Sequence, residues 1–111
     1  MPHPFYEEVI RSLEECTVEC SMCAVACLQE KEVARLRDCI LLDLDCADLC
    51  RTLIGMLGRT TEYSQELLAL CGKLCHQCAD VCDKYKEMEH FRRCAEVCRT
   101  CGTLCKNMAM T

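Results

Sequence analysis

Cysteine thiols are the side chains in this sequence with the greatest capacity for chemistry. Fifteen of the 111 residues are cysteine, well above the roughly 8–10% that marks a cysteine-specialised short chain. A thiolate is a soft ligand for Cu(I), Zn(II) and iron–sulfur clusters, and it is also the nucleophile of disulfide exchange. The composition therefore indicates metal binding or thiol redox chemistry. The cysteines are Cys16, Cys20, Cys23, Cys27, Cys39, Cys46, Cys50, Cys71, Cys75, Cys78, Cys82, Cys94, Cys98, Cys101 and Cys105.

The spacing of the cysteines divides the chain into two copies of a 55-residue unit, and each unit carries the pattern C-x3-C-x2-C-x3-C twice. One position breaks the repeat, because Asp43 stands where Cys98 stands in the second copy. Steps of four and three residues keep side chains on one narrow stripe of an α-helix, at about 100° per residue. Four such stripes predict four helices.

Short connections between these helices predict an all-α, antiparallel, up-down-up-down four-helix bundle with a cysteine-lined core. Gly58 is expected to end the second helix, and Thr60 or Thr61 is expected to cap the third. We expect one domain over residues 1–111, built from two copies of a helical hairpin. The helices are predicted near 5–28, 33–57, 61–84 and 89–108.

The numbering also predicts how the cysteines meet across the bundle. In each hairpin the cysteines are mirror-symmetric, about position 33 in the first and position 88 in the second. Four layers follow, and Asp43 is expected to face the bundle axis rather than solvent. The predicted layers are Cys27/Cys39/Cys82/Cys94, Cys23/Asp43/Cys78/Cys98, Cys20/Cys46/Cys75/Cys101 and Cys16/Cys50/Cys71/Cys105.

Charge and hydropathy narrow the function further. The formal net charge of −5 argues against a nucleic-acid partner. No apolar run approaches the ~18 residues that span a bilayer, and residues 1–8 do not resemble a signal peptide. We therefore expect a cytoplasmic protein. In a reducing cytosol, dense cysteines indicate metal binding before disulfides, and an odd number of thiols cannot all pair.

Other uses of so many thiols fit the pattern less well. Cysteine fills a core poorly compared with Leu, Ile and Val, although large aliphatic residues do flank the stripes. The Cys-x-x-Cys segments at 20–23, 75–78 and 98–101 lie in the middle of predicted helices, whereas a thioredoxin-like motif needs an exposed helix N-terminus. Iron–sulfur ligands of the ferredoxin type commonly end in Cys-Pro, which this chain lacks.

The charge of the metal favours Cu(I) over Zn(II). A zinc ion in a four-thiolate layer leaves two net negative charges in a dry core, which is costly. Each Cu(I) ion can instead replace one thiol proton, so that the charge of the core is unchanged. The stripes also lack the exchangeable position and acid–base groups of a catalytic metal. A zinc or general soft-metal buffer, and a thiol redox enzyme, stay open as alternatives.

Four repeated cysteine stripes on four helices resemble the bacterial four-helix-bundle copper storage proteins, in their cytosolic branch. The resemblance covers residues 5–108. It implies a non-enzymatic store for many Cu(I) ions per chain, with all fifteen cysteines as ligands and with assembly into tetramers. Asp43 departs from the pattern, since a carboxylate is a hard ligand that suits Cu(I) poorly.

The two ends of the bundle are expected to differ. Apolar residues close the end that carries the chain termini. At the hairpin-turn end, Met88, His90 and Phe91 are expected near Cys27, Cys39, Cys82 and Cys94. Met88 and His90 offer neutral thioether and imidazole ligands, so we expect copper to enter there. His3 and His76 lie off the stripes and are expected to face solvent. The apolar end residues are Phe5, Val9, Leu13, Leu53, Ile54, Leu57, Leu67, Leu68 and Met108.

The first hairpin also carries an apolar outer face that the second hairpin lacks. It consists of Val18, Met22, Val25, Leu41 and Leu44, whereas the corresponding positions of the second copy are polar or charged. A one-sided apolar surface of this kind indicates self-association. We expect a homo-oligomer through the first two helices, with a copper chaperone as a further possible partner.

Overall fold

A computed structural model describes residues 6–110 and shows four long α-helices in the predicted up-down-up-down order. No strand occurs in this part of the chain. Each helix packs against its two neighbours, α1 on α2 and α4, and α3 on α2 and α4. The predicted all-α bundle is confirmed, while His3 and Phe5 lie outside the described residues. The helices are α1 (Glu7–Leu28), α2 (Arg37–Gly58), α3 (Ser64–Cys82) and α4 (Glu89–Ala109).

Both hairpin connections contain a short 3-10 helix where the sequence predicted α-helix. Val33–Leu36 precedes α2, and Asp83–Tyr85 follows α3. The second and third helices are therefore shorter at the turn end than the predicted 33–57 and 61–84. A 3-10 turn is tighter than an α-turn and commonly ends or joins helices.

The connection between α2 and α3 differs in detail from its prediction. Gly58 is the last residue of α2, as expected, but Thr60 takes the left-handed backbone conformation with φ of 54°. Neither Thr60 nor Thr61 caps α3, because that helix begins at Ser64 after Tyr63. The hydroxyl of Thr61 instead accepts a hydrogen bond from the Tyr63 N–H, 3.2 Å away, which closes a local turn.

Side-chain caps contribute nothing to the four helix starts. The N-cap residues are Tyr6, Leu36, Tyr63 and Met88, and none makes a side-chain cap hydrogen bond. Each first turn does carry an acidic residue, which is favourable beside the positive end of the helix dipole. Most helical stability must therefore come from the buried stripes, as is usual in globular proteins.

The interior of the bundle has an aliphatic section and a longer thiol section. At the end that carries the termini, Val9, Leu13, Leu53, Leu57 and Leu68 are at most 1% exposed. Ile54, Leu67 and Met108 are partly buried against them. The apolar closure predicted for this end is thus present in the described residues.

The helices α3 and α4 cross most closely at two glycines. A Cβ atom built on Gly72 would lie 3.1 Å from the Gly102 carbonyl oxygen, and one built on Gly102 would lie 3.1 Å from the Gly72 oxygen. The same Gly102 position faces Cδ2 of His76 at 2.7 Å. His76 is therefore half-buried over the crossing, not freely exposed as predicted.

Between residues 6 and 110, none of the helices is apolar enough along its length to cross a membrane.

Candidate metal centre

All fifteen cysteines lie in the interior of the bundle. Their exposed fractions are between 0% and 2%, and all are free thiols rather than disulfides. Their sulfur atoms form one connected column because successive cysteines on a helix also face neighbours on the other helices. Cys16 Sγ, for example, lies 3.9 Å from Cys20 on its own helix and 3.8 Å from Cys46 on α2.

The predicted layers hold between α2 and α3. Sulfur atoms of the pairs Cys39/Cys82, Cys46/Cys75 and Cys50/Cys71 are 3.9, 3.6 and 3.7 Å apart. The fourth predicted pair also meets, because the Cys78 thiol lies 3.1 Å from a carboxylate oxygen of Asp43. The mirror symmetry of the sequence therefore placed these two helices in the correct register.

The first helix departs from the predicted layers by about one cysteine position, toward the hairpin-turn end. Cys16 was predicted to meet Cys50, Cys71 and Cys105. Its sulfur does lie within 4.8 Å of Cys50, but it also lies 3.8 Å from Cys98 and 4.0 Å from Cys75. Cys20 lies 3.4 Å from Cys98, a residue predicted to meet Cys23. A stripe that repeats every three or four residues presents nearly the same surface after a shift of one step, so both registers pack thiol on thiol.

The ligand atoms form overlapping groups of four, and within each group they lie within 4.8 Å of one another. Several ligands belong to at least two groups, namely Cys16, Cys20, Cys46, Cys78, Cys82, Cys94, Cys98 and Asp43. No group is an isolated four-ligand site, because its neighbours share its sulfurs. The groups include Cys16/Cys46/Cys50/Cys75, Cys16/Cys20/Cys46/Cys98, Cys20/Cys78/Cys94/Cys98, Cys23/Cys39/Asp43/Cys82 and Asp43/Cys78/Cys82/Cys94.

Asp43 faces the axis of the bundle with an exposed fraction of 0%, as the repeat predicted. Its carboxyl group receives thiol hydrogen bonds from Cys78 at 3.1 Å and Cys94 at 3.5 Å, with Cys39 more distant at 4.0 Å. The α4 neighbour is therefore Cys94, not the predicted Cys98. Burial, together with the nearby Cys94 and Cys39, raises the pKa of Asp43 to about 9, so at neutral pH this residue is mostly a neutral acid.

The thiols at the turn end differ in their pKa, because hydrogen bonds with Cys23 and Cys82 lower the pKa of Cys39 to about 4. Burial is the main cause that raises the pKa of Cys27 to about 12. In the middle of the column, hydrogen bonds between Cys20 and Cys16 and other thiols, together with burial, raise the pKa of Cys20. A thiol of this kind is a poor nucleophile, but a soft metal ion can still displace its proton.

His90 and Met88, which were also predicted as ligands, differ in their distance from the thiol column. Nδ1 of His90 lies 3.6 Å from the Cys23 sulfur, so this side chain does reach the thiol column. Met88 is half-buried in a groove beside Glu30, Arg35 and Leu36, and none of the residues that line this groove is a cysteine. The pairing of His90 with Cys23, instead of Cys27, follows from the displacement of α1 and could not be read from the repeat.

This fold and site define a class: a four-helix bundle whose interior is a continuous column of buried free thiols that can bind soft metal ions. A model of the copper storage protein family, Csp, matches residues 3–110. The chain belongs to this family.

Relatives of known structure have the same architecture. The Cu(I)-bound copper storage protein BsCsp3 is 32% identical, with a TM-score of 0.90 over 95% of this chain and 98% of that one. A cytosolic copper storage protein from Streptomyces lividans, in a form with five coppers, is 38% identical, with a TM-score of 0.88 over 93% and 90%. An uncharacterised cysteine-rich protein of Bacillus subtilis, YhjQ, is 32% identical over 95% of this chain and 96% of its own length.

Proposed function

We propose that this protein stores and sequesters Cu(I), with many ions held per chain by the cysteine thiolates inside the bundle. The observation that carries the proposal is the sharing of thiols between adjacent four-ligand groups. Shared thiols favour clusters in which one sulfur bridges two ions. They do not favour a row of separate sites, because each separate site would need its own four ligands.

The electrostatics of the interior favour a monovalent ion. The column holds fifteen thiols at 0–2% exposure, and the buried side chains of residues 6–110 include no Lys or Arg. Each Cu(I) that enters replaces one thiol proton, and the charge of the column stays the same. Zn(II) on four thiolates would add two negative charges that no buried cation offsets.

A storage role also fits the composition of the ligand groups, in which thiols predominate. A catalytic metal keeps an open position and a nearby acid or base, whereas the groups described here consist of thiols and one carboxyl. We propose a non-enzymatic role in the cytoplasm, which the name of the S. lividans relative supports. A copper chaperone that delivers or accepts Cu(I) is part of this proposal.

The outer face of the first hairpin supports self-association. Val18, Met22 and Val25 on α1 are each 56% exposed, while Leu41 and Leu44 on α2 are 46% and 45% exposed. Large apolar side chains grouped on one side of a bundle commonly mark an interface. We propose that this face joins copies of the chain, in a tetramer as the family resemblance implies.

Anaerobic titration of the reduced protein with Cu(I), followed by desalting and elemental analysis, tests the function. If adjacent ions share thiols, saturation is expected near the number of cysteines, at roughly 12–18 Cu(I) per chain. A parallel titration with Zn(II) is the matched comparison. Saturation at three or four ions per chain, or zinc binding that excess Cu(I) does not displace, would favour a zinc or general soft-metal buffer.

A thiol redox enzyme is the second candidate. It predicts turnover of a peroxide or a disulfide substrate by the metal-free protein. Storage predicts no such turnover, because the thiols are buried at 0–2% exposure and a peroxide or disulfide substrate cannot reach them. An assay with hydrogen peroxide and a small aromatic disulfide distinguishes the two functions.

A further inference from the structure

Two charged residues are buried between residues 6 and 110, and Glu19 is the one that lies outside the cysteine stripes, the other being Asp43. Its carboxylate lies 3.4 Å from Nε of Arg93 on α4, and the two side chains are 11% and 58% exposed. Glu19 immediately precedes Cys20 on α1, and Arg93 immediately precedes Cys94 on α4. This ion pair therefore joins α1 to α4 beside the thiol column.

The 55-residue repeat does not reproduce this pair between α2 and α3. Glu19 corresponds to Leu74 in the second copy, and Arg93 corresponds to Asp38 in the first. Leu74 packs partly buried against the core, and a leucine and an aspartate cannot form an ion pair. The sulfur atoms of α2 and α3 keep the predicted register, whereas α1 is displaced from it. The displaced helix is thus the one that carries the buried ion pair.

The thiol stripes alone permit several positions of α1 along the bundle axis, one cysteine step apart. Each step is three or four residues, and each position keeps sulfur opposite sulfur. A step of α1 toward the chain termini would move Glu19 from Arg93 to Glu96, three residues further along α4. A step in the opposite direction would move Glu19 to Glu89, four residues before Arg93. Either step therefore exchanges an arginine for a glutamate.

Both of these glutamates lie along the seam between α1 and α4. Glu89 lines the same groove as Glu19 and Arg93, and Glu96 lines a second groove together with Glu15 of α1. In either alternative register the buried carboxylate of Glu19 would lose its cation and meet a like charge, which is costly. The observed register is the one of the three that gives Glu19 a partner of opposite charge.

We propose that the ion pair between Glu19 and Arg93 fixes the axial position of α1, so that these two are positioning residues for the copper ligands. The register determines which thiols share a ligand group. Cys20 shares one with Cys94 and Cys98, and a step of α1 toward the termini would separate Cys20 from Cys94. Selection of one register among several is the best-attested use of a buried charged group. The importance of this register for copper rests on the proposed storage function.

The test reverses one charge of the pair and then both. Glu19→Arg places two guanidinium groups together, while one step in either direction brings the new cation to a glutamate. We expect α1 to shift by one cysteine step, about 5 Å along the axis, in Glu19→Arg. The charge-swapped variant Glu19→Arg/Arg93→Glu should return α1 to the wild-type register. Glu15→Arg is the matched control, because Glu15 is an exposed residue one turn earlier on α1, and it should keep the wild-type register.

NMR of the reduced, metal-free, isotopically labelled protein measures the register. In wild type the ring protons of His90 should show nuclear Overhauser effects to the β-protons of Cys23, since Nδ1 and Sγ are 3.6 Å apart. After one step of α1, His90 should contact Cys27 or Cys20 instead. Loss of an ion pair that only stabilised the fold would lower stability but would leave these contacts unchanged.

Glu19→Leu protects the test against a charge-reversed variant that fails to fold, because the second repeat carries leucine at this position. Without the charge, α1 should occupy more than one register, and His90 should contact Cys23 and a second cysteine in the same sample. Wild-type contacts alone in Glu19→Arg or in Glu19→Leu would overturn the proposal. A charge-swapped variant that stays shifted, or a shift in Glu15→Arg, would overturn it as well.

The register and the storage function can fail separately. The contacts are recorded without metal, whereas storage is tested by the Cu(I) titration of the wild-type protein. A wild-type protein that binds no Cu(I) but shows the expected shifts would refute storage and support the role of Glu19 and Arg93 in the register. Normal copper binding together with unshifted contacts in the variants would refute the role of the pair and leave storage supported.

Discussion

The thiol of Cys78 donates a hydrogen bond of 3.1 Å to Oδ1 of Asp43 in the centre of the bundle. The two residues come from α2 and α3 and occupy the same predicted layer. Cys94 adds a second thiol donor to the same oxygen at 3.5 Å. The one carboxyl group on the cysteine stripes is therefore held by thiols, as a buried polar group requires.

The buried carboxyl of Asp43 makes the stability of the metal-free protein depend on pH. Its pKa is raised from 3.8 to about 9, so between these values the folded chain retains a proton that the unfolded chain has lost. Linkage then requires the free energy of unfolding to fall as pH rises from about 4 to 9, by at most about 1.4 kcal/mol per pH unit. Asp43→Asn removes the proton that Asp43 contributes to this pH dependence. Urea unfolding of the reduced apo-protein should therefore show that the free energy of unfolding falls less steeply with pH in Asp43→Asn than in wild type.

Asp45→Asn is the matched control, because Asp45 lies two residues away on the same helix and is exposed. This variant should keep the wild-type pH dependence, and both variants should resemble wild type near pH 4. If the free energy of unfolding falls with pH equally steeply in Asp43→Asn and wild type between pH 5 and 8, then Asp43 is ionised in the folded protein.

Replacement of Asp43 by Cys restores the sequence repeat and should raise copper capacity. The new thiol would lie beside Cys78, Cys94 and Cys39, and it would offer one more exchangeable proton. We therefore expect about one additional Cu(I) per chain, measured by elemental analysis after saturation. Asp43→Ser is the control, because the serine side chain is similar in size to that of cysteine but is not a soft ligand, and this variant should bind no additional Cu(I). An unchanged copper capacity in Asp43→Cys would contradict the prediction.

Sequence periodicity accounts for much of this fold because the cysteine stripes are both the pattern and the core. The spacing predicted four helices, and it predicted the pairing of Cys46 with Cys75 and of Cys50 with Cys71. It also placed Asp43 inside the bundle. In these cases one residue type marks the buried face without ambiguity, so register follows from numbering.

The same periodicity could not determine where α1 lies along its axis. A shift of α1 by one cysteine keeps thiols opposite thiols. The axial position of α1 therefore depends on the turn around Val33–Leu36 and on the packing of larger residues. The contact between Cys23 and His90 depends on that shift. The close approach of Gly72 to Gly102 was also missed, although two glycines in the middle of predicted helices were a visible signal.

The metal-free protein should already be folded. The core includes Leu13 and Leu53 in its aliphatic section and Phe91 at the turn end, each at 0% exposure, and neutral thiols can be buried without a metal. Reduced, chelator-treated protein should therefore give a helical far-UV circular dichroism spectrum. Cu(I) should then raise the thermal midpoint by mass action. A random-coil spectrum that becomes helical only with metal, as in zinc fingers, would contradict this prediction.

Charge placed on the apolar outer face should dissociate the oligomer. Val18→Glu combined with Leu41→Glu introduces two carboxylates at positions that are 56% and 46% exposed in the single chain. Burial of these charges at an interface is costly, so light scattering after size-exclusion chromatography should show a monomer. Lys73→Glu is the control, because Lys73 occupies the position of Val18 in the second repeat. If the double variant retains the wild-type mass, the interface lies elsewhere.

The glycine crossing of α3 and α4 should tolerate no added methyl group. A Cβ on Gly72 would lie 2.9 Å from Cγ of Lys106 and 3.1 Å from the Gly102 carbonyl oxygen. The Lys106 side chain can move, but the backbone oxygen can move only if the helices separate. Gly72→Ala should therefore lower the free energy of unfolding by about 1–3 kcal/mol, as other overpacked sites do.

Gly58→Ala separates this packing effect from the helix propensity of alanine. A Cβ on Gly58 would meet nothing within 4 Å, so this variant should be neutral or more stable by up to about 1 kcal/mol. Urea unfolding monitored at 222 nm measures both variants. Equal stability of Gly72→Ala and Gly58→Ala would show that α3 and α4 can separate at little cost, and that the glycines do not determine the spacing of the thiol stripes on these two helices.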